Sequence, residues 1–264
     1  MAHHITRHIR LRFAPYLRKP PPILHGCSLS AIIHPCNIVY AETLDEIRLH
    51  LILYCTTIMI NLFLASVARN TLNKLVESLD CPPAKLTVAF IPTAGNVLKD
   101  NWFVTADRDK LIDLGFKVID VNLEGKTKNQ LSKEITGVDI IFVAGGNTFY
   151  LLQETRKSGF DEIVTSFVGK GGTYIGSSAG TLLAGPSTEL AKDIDNQEEA
   201  PELKSYDGLA LVDFVVLPHY DDKNFKDKID KNLQNRQNYK YKVIKISDNQ
   251  AVVVKENSFK IVSN

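Results

Sequence analysis

Thr173-Tyr174-Ile175-Gly176-Ser177-Ser178-Ala179-Gly180-Thr181-Leu182-Leu183 runs from aromatic and β-branched residues, through two glycines four apart, into an apolar tail. The first part predicts a buried strand and the last a helix, with Gly-x-Ser-x-Gly at the junction. A serine hydroxyl becomes a useful nucleophile where a sharp strand-to-helix turn holds it open to a base and beside free backbone amides. Gly176 and Gly180 leave the room that such crowding demands, and the motif spacing selects Ser178 over Ser177. The amide of Ala179, at the helix start, is a candidate oxyanion donor. The plainer alternative is a tight turn in which Ser177 or Ser178 only caps the helix.

Outward from this junction, strand and helix signals alternate. Apolar runs without polar alternation occur at Ile60-Asn61-Leu62-Phe63-Leu64-Ala65, Leu86-Thr87-Val88-Ala89-Phe90-Ile91, 117–121, 139–144, 172–175 and 214–217. Helical spacing fills 66–79, 105–114, 129–135, 148–157, 161–169 and the stretch from 179 onward. Strands apolar on both sides must be covered on both faces, so the fold class is α/β, a doubly wound, mostly parallel sheet with helices on both faces. At the C-terminus, 241–247 and 251–255 flank Asp248-Asn249-Gln250 and predict a β-hairpin, with 260–262 a further short strand. The charged stretch 221–242 reads as a solvated helix and loop.

A second junction, Val143-Ala144-Gly145-Gly146-Asn147-Thr148-Phe149, ends another buried strand in two glycines. In a parallel sheet it lies on the same edge as Ser178, so the Gly146 amide is a candidate second oxyanion donor, with Asn147 beside it as a candidate substrate contact. The alternative makes Asn147 or Thr148 a helix N-cap. A nucleotide-phosphate site is disfavoured, because these glycines form no GxGxxG and no lysine is placed as in a Walker loop.

Of the seven histidines, His219 alone lies beyond residue 59, just after the buried run Val215-Val216-Leu217-Pro218. A serine nucleophile needs a base that is neutral near physiological pH, which makes His219 the candidate. For the acid that orients it, chain position admits Glu189, Asp193, Asp195, Asp221, Asp222 and Asp248, because triads recur in several chain orders.

The 31 basic and 30 acidic side chains nearly cancel, so no net field recruits nucleic acid or an anionic membrane surface. The four cysteines, Cys27, Cys36, Cys55 and Cys81, form no CxxC pair, which fits a reducing, cytoplasmic setting and supports no cysteine metal site. Residues 1–58 differ from the remainder: six of the seven histidines are here, and no acid precedes Glu42. A basic targeting peptide, an apolar anchor, or upstream sequence ahead of a start at Met59 each explain this composition, and the last is favoured. The anchor is too short to span a bilayer once 60–65 is taken as a strand. The expected organisation is therefore an atypical extension, 1–58, and one α/β domain, 59–264.

Together, Ile60-Asn61-Leu62-Phe63-Leu64-Ala65-Ser66, Ile91-Pro92-Thr93-Ala94-Gly95, Gly145-Gly146-Asn147-Thr148-Phe149, Gly176-Ser177-Ser178-Ala179-Gly180 and Pro218-His219-Tyr220 resemble the serine peptidase family of alpha-aspartyl dipeptidase (dipeptidase E) and cyanophycinase. That family's fold is similar to the class I glutamine amidotransferases, and the resemblance spans about 59–254. It implies Ser178 as nucleophile, His219 as base, and Gly146 with Ala179 as oxyanion donors. The dipeptidase branch implies Asp248 as the acid, standing where that branch has glutamate; the cyanophycinase branch instead places the acid among Glu189, Asp193 and Asp195.

The dipeptidase's arginine-containing stretch, which reads the substrate's aspartate, has no counterpart in Asp221-Asp222-Lys223-Asn224-Phe225-Lys226, and Arg236 or Lys223 are the substitute cations. The expected activity is hydrolysis of small peptides through an acyl-enzyme, with no metal or organic cofactor, by a monomer or homodimer. An esterase or amidase on another small acyl compound, and a non-catalytic binding homologue, are the alternatives.

Overall fold

The structure, a computed structural model, describes residues 61–235, 239–256 and 258–264, together with a short antiparallel strand pair at 32–34 and 37–39. Apart from that pair the expected extension 1–58 lies outside the described residues, as does Arg236.

The central sheet contains Leu62–Ala65 (β1), Thr87–Ile91 (β2), Lys117–Asp120 (β3), Ile140–Val143 (β4) and Thr173–Ser177 (β5), all mutually parallel. Helices Ala68–Val76 (α1), Trp102–Asp113 (α2), Lys128–Glu134 (α3), Thr148–Ser158 (α4), Phe160–Gly169 (α5) and Ala179–Ala184 (α6) connect and cover them. The strand residues alternate between two cores, as pleating requires. Leu62, Leu64, Ile91, Ile141 and Val143 share one face with α4, α5 and α6; Phe63, Val88, Phe90, Ile140 and Phe142 share the other with α1 and α2. None of these ten is more than 1% exposed, and each stabilises the fold by roughly 1.5–3 kcal/mol relative to exposure. The doubly wound expectation is therefore met, and its reason is this burial on both faces.

Two further strand groups follow. Phe214–Leu217 (β6) pairs in parallel with Lys242–Lys245 (β7) in a separate two-stranded sheet, and helix Lys223–Asn235 (α7) connects them. Gln250–Lys255 (β8) pairs antiparallel with both β1 and Ser258–Ser263 (β9), giving the main sheet the order β9-β8-β1-β5-β4-β2-β3. The C-terminal hairpin is thus present, but it is β8 with β9, not 241–247 with 251–255. The burial patterns explain why: Ala251 to Val254 are all buried and fit a covered sheet, whereas β7 buries only Ile244 and suits a half-exposed edge. Asp248 and Asn249 carry the chain from the small sheet into the large one.

Strand register positions the site. Ala65 lies opposite Ser177, and Val143 lies opposite both Gly176 and Ile91, so β1, β5, β4 and β2 end nearly level. The residues that follow them, including Ser66, Ser178 and Gly145-Gly146, share one edge. In the small sheet Leu217 lies opposite Lys245, and the pairing continues through Ile246 N to Leu217 O at 3.0 Å and Tyr220 N to Ile246 O at 3.1 Å. His219 and Asp248 therefore leave that sheet side by side.

Candidate active site

Ser178 occupies the turn between β5 and α6 with φ 49° and ψ −104°, a conformation that L-residues avoid at a cost of order 1–3 kcal/mol. Its amide bonds the carbonyls of Ala65 and Ser66, each at 3.1 Å, which holds the strained turn in place. The two glycines of the motif have a steric rationale. A Cβ on Gly180 would stand 2.2 Å from the Val143 oxygen, and one on Gly176 would stand 2.7 Å from Gly180, so α6 seats directly on the strand ends. The helix-cap alternative fails for both serines: Ser178 makes no side-chain cap bond, and Ser177 Oγ donates to Asp107 Oδ2 at 2.7 Å.

Ser178 Oγ lies 2.8 Å from His219 Nε2, and His219 Nδ1 lies 2.6 Å from Asp248 Oδ1. A carboxylate on Nδ1 places that nitrogen's proton toward itself and leaves Nε2 free to accept from the serine. Burial alone would push the Asp248 carboxyl up, but the hydrogen bond and charge of His219, the Ser66 hydroxyl and the Arg69 charge together hold it below the ordinary carboxylate value. Phe225 of α7 stacks on the imidazole with ring centres 5.1 Å apart, fixing its plane.

The loops that carry the two candidate backbone donors, Gly146 and Ala179, both adjoin Ser178. Gly146 has φ 143°, and a Cβ there would fall 2.2 Å from the Ala94 oxygen, so only glycine fits the turn. The neighbouring Gly145 passes so close that its own added Cβ would meet Ser178 Cβ at 3.2 Å. Ala179 is the first residue of α6, where the amide has no carbonyl within the helix to bond. Both loops thus border the Ser178 side chain.

Other expectations need correction. Asn147 is buried, and its Oδ1 caps α4 by accepting from the amides of Phe149 and Tyr150 at 3.0 and 2.9 Å. Its amide nitrogen donates to the Asn196 carbonyl at 2.7 Å, so no polar group of that side chain faces the cleft. Glu189 pairs with Lys192 at 2.9 Å, and Asp193 accepts from Asn232 at 3.3 Å; neither lines the cleft. Asp195 does line it, but its carboxylate accepts from the Thr148 amide at 2.8 Å, and burial pushes that carboxyl up. The acid bonded to His219 is Asp248. Asp222 also reaches the cleft, whereas Lys223 is exposed outside it.

Four participants were not assigned roles from sequence: Ser66, Arg69, Asp107 and Phe225. Ser66 Oγ accepts from the His219 amide at 2.8 Å and donates to Asp248 Oδ1 at 2.7 Å. Its position directly after the first strand, on the edge shared with Ser178, was the available signal. Asp107 is 1% exposed inside α2, and burial pushes its carboxyl up. Nothing local in the helical sequence marks it.

The cleft around these residues holds about 330 Å³, with apolar walls from Leu98, Trp102, Phe103, Leu182 and Phe225. Among the described residues no group of three His, Cys, Asp or Glu side chains is placed to hold a metal ion, and no helix is long and apolar enough to cross a membrane.

Comparison with known proteins finds similarity over the same span. The model of peptidase family S51 matches residues 62–262. The uncharacterized peptidase Lin0382 of Listeria innocua is 34% identical over 198 residues, covering 75% of this chain and 94% of that one. A Drosophila melanogaster protein named probable alpha-aspartyl dipeptidase is 36% identical over 156 residues, 58% of each chain. The crystal structure of a candidate peptidase E from Listeria monocytogenes superposes with TM-score 0.72 at 30% identity, covering 77% of this chain and 98% of that one. With the elbow, its supporting sheet and these matches all falling within one stretch of sequence, the chain belongs to peptidase family S51 and is a serine peptidase.

Proposed function

We propose that Ser178, His219 and Asp248 are the catalytic triad of an enzyme that hydrolyses small peptides of dipeptide size in the cytoplasm. The observation that carries this reading is the unbroken relay from Ser178 Oγ to His219 Nε2 at 2.8 Å and from His219 Nδ1 to Asp248 at 2.6 Å. Ser178 Oγ attacks the scissile carbonyl while His219 takes its proton. The amides of Gly146 and Ala179 receive the developing oxyanion, and His219 then returns the proton to the leaving amine. Water, activated by the same imidazole, releases the acyl group. A cleft of about 330 Å³, at the small end of ligand pockets, favours short substrates over folded protein. The family match beginning at residue 62 supports taking 59–264 as the catalytic domain.

The test is fluorophosphonate labelling of wild type, Ser178→Ala, Ser177→Ala and His219→Ala, followed by a dipeptide and ester panel. Labelling is expected to vanish in Ser178→Ala and persist in Ser177→Ala. Equal labelling of wild type and Ser178→Ala would remove Ser178 from the chemistry, and hydrolysis of esters alone would move the substrate class.

A further inference from the structure

Arg69 is the one Lys or Arg side chain among the described residues lining the cleft. It stands in the first turn of α1, three residues after Ser66, with its side chain 27% exposed. Its guanidinium carbon lies 4.9 Å from the centre of the Trp102 ring, which is itself 59% exposed. Nη1 lies 3.5 Å from Asp107 Oδ1, an ion pair too long for a good hydrogen bond. Asp107 is meanwhile occupied by Ser177 Oγ at 2.7 Å and by the Arg69 backbone amide at 3.1 Å.

A guanidinium carries five N–H donors in one plane and keeps its charge at any physiological pH. Stacking on an indole face fixes that plane while leaving its edge open to an acceptor. The other ionisable groups lining the cleft are His219 and the acids Asp107, Asp195, Asp222 and Asp248. Among the described residues Arg69 is therefore the one permanently charged side-chain cation that an anionic group entering the cleft would meet.

We propose that Arg69, braced by Trp102 and Asp107, binds a carboxylate of the substrate and so sets how a peptide lies across Ser178. The proposal rests on the peptidase reading of this site. A small peptide offers two such carboxylates, the α-carboxylate of its last residue and an acidic side chain.

Calorimetric binding to the full chain carrying Ser178→Ala separates them, using Ala-Leu against Ala-Leu amide and Asp-Leu against Asn-Leu. In one pair the free carboxylate is expected to bind about tenfold tighter than its amide, as a charge-assisted bidentate contact provides. Adding Arg69→Gln should bring that pair to within about twofold, and Arg69→Lys should keep an intermediate preference because lysine lacks the fork. The responding pair identifies which carboxylate is read. Equal affinity within both pairs, or a preference that survives both Arg69 substitutions, overturns the proposal. Wild-type turnover of the same four compounds reads the peptidase assignment separately: a carboxylate preference without hydrolysis defeats that assignment alone, and hydrolysis without preference defeats only the role of Arg69.

Discussion

The Ser66 hydroxyl accepts the backbone amide of His219 at 2.8 Å, tying the end of the first strand to the peptide unit that carries the imidazole. His219 adopts φ 58°, so its backbone conformation needs an external hold, and the same hydroxyl also donates to Asp248. Ser66→Ala removes both bonds and leaves the His219 amide without this acceptor, a loss of about 1–3 kcal/mol where the group is buried. Turnover should fall about tenfold to a hundredfold, in kcat more than in KM, because substrate contacts are untouched while the base is misplaced. Steady-state kinetics on a dipeptide decides it; a change confined to KM would place Ser66 in substrate binding instead.

Asp248→Asn should lower kcat by about 10²–10⁴-fold, since an amide can donate to Nδ1 and favour the wrong tautomer. It also has a pH signature. The folded-state pKa of Asp248 is depressed, so its ionisation stabilises the fold above the ordinary carboxylate range, and that contribution disappears as pH falls through the folded-state value. The melting-temperature deficit of Asp248→Asn should therefore be full at neutral pH and shrink below about pH 4. A deficit that stays constant between pH 7 and pH 3 would show that the carboxylate charge is not what stabilises.

Ser177 and Ser178 should separate stability from activity. Ser177 Oγ donates to the buried Asp107 and accepts from the Ala68 amide at 3.2 Å, so Ser177→Ala costs about 1–3 kcal/mol while Ser178 remains reactive toward a fluorophosphonate. Ser178→Ala should instead leave the melting temperature equal or higher, because it deletes only a hydroxyl and keeps the backbone bonds that hold the turn. Thermal melts run beside the labelling assay check both.

Three glycine substitutions should rank by their clashes. Gly180→Ala and Gly146→Ala each drive a methyl to 2.2 Å from a backbone oxygen and should cost about 3 kcal/mol or more. Gly145→Ala meets the Ser178 side chain at 3.2 Å, a contact that a small shift relieves, so it should fold and lose turnover. Soluble yield, melting temperature and labelling of the three proteins test the order.

Much of this arrangement was legible in the chain. Apolar runs such as Leu62-Phe63-Leu64-Ala65 announced strands buried on both faces, because burial leaves no polar alternation to find. The glycines at 176 and 180 announced a crowded strand-to-helix turn, and the scarcity of histidine left His219 as the candidate base. These are local signals, carried by neighbours in sequence.

What only the tertiary structure decided lies in contacts between distant segments. Among the acids left open by chain order, Asp248 is the one bonded to His219, because the parallel pairing of β6 with β7 brings the residues after both strands together. Ser66 and Arg69 became part of the site because β1 ends level with β5, and Asp107 because α2 packs beside α1 with that one carboxylate turned inward. Asn147 went the other way, since the open amides at the start of α4 claimed its side chain before any substrate could. Composition and periodicity report which way a residue faces, toward core or water; hydrogen bonds across dozens to more than a hundred residues depend on register and crossover, and those are set only when the strands meet.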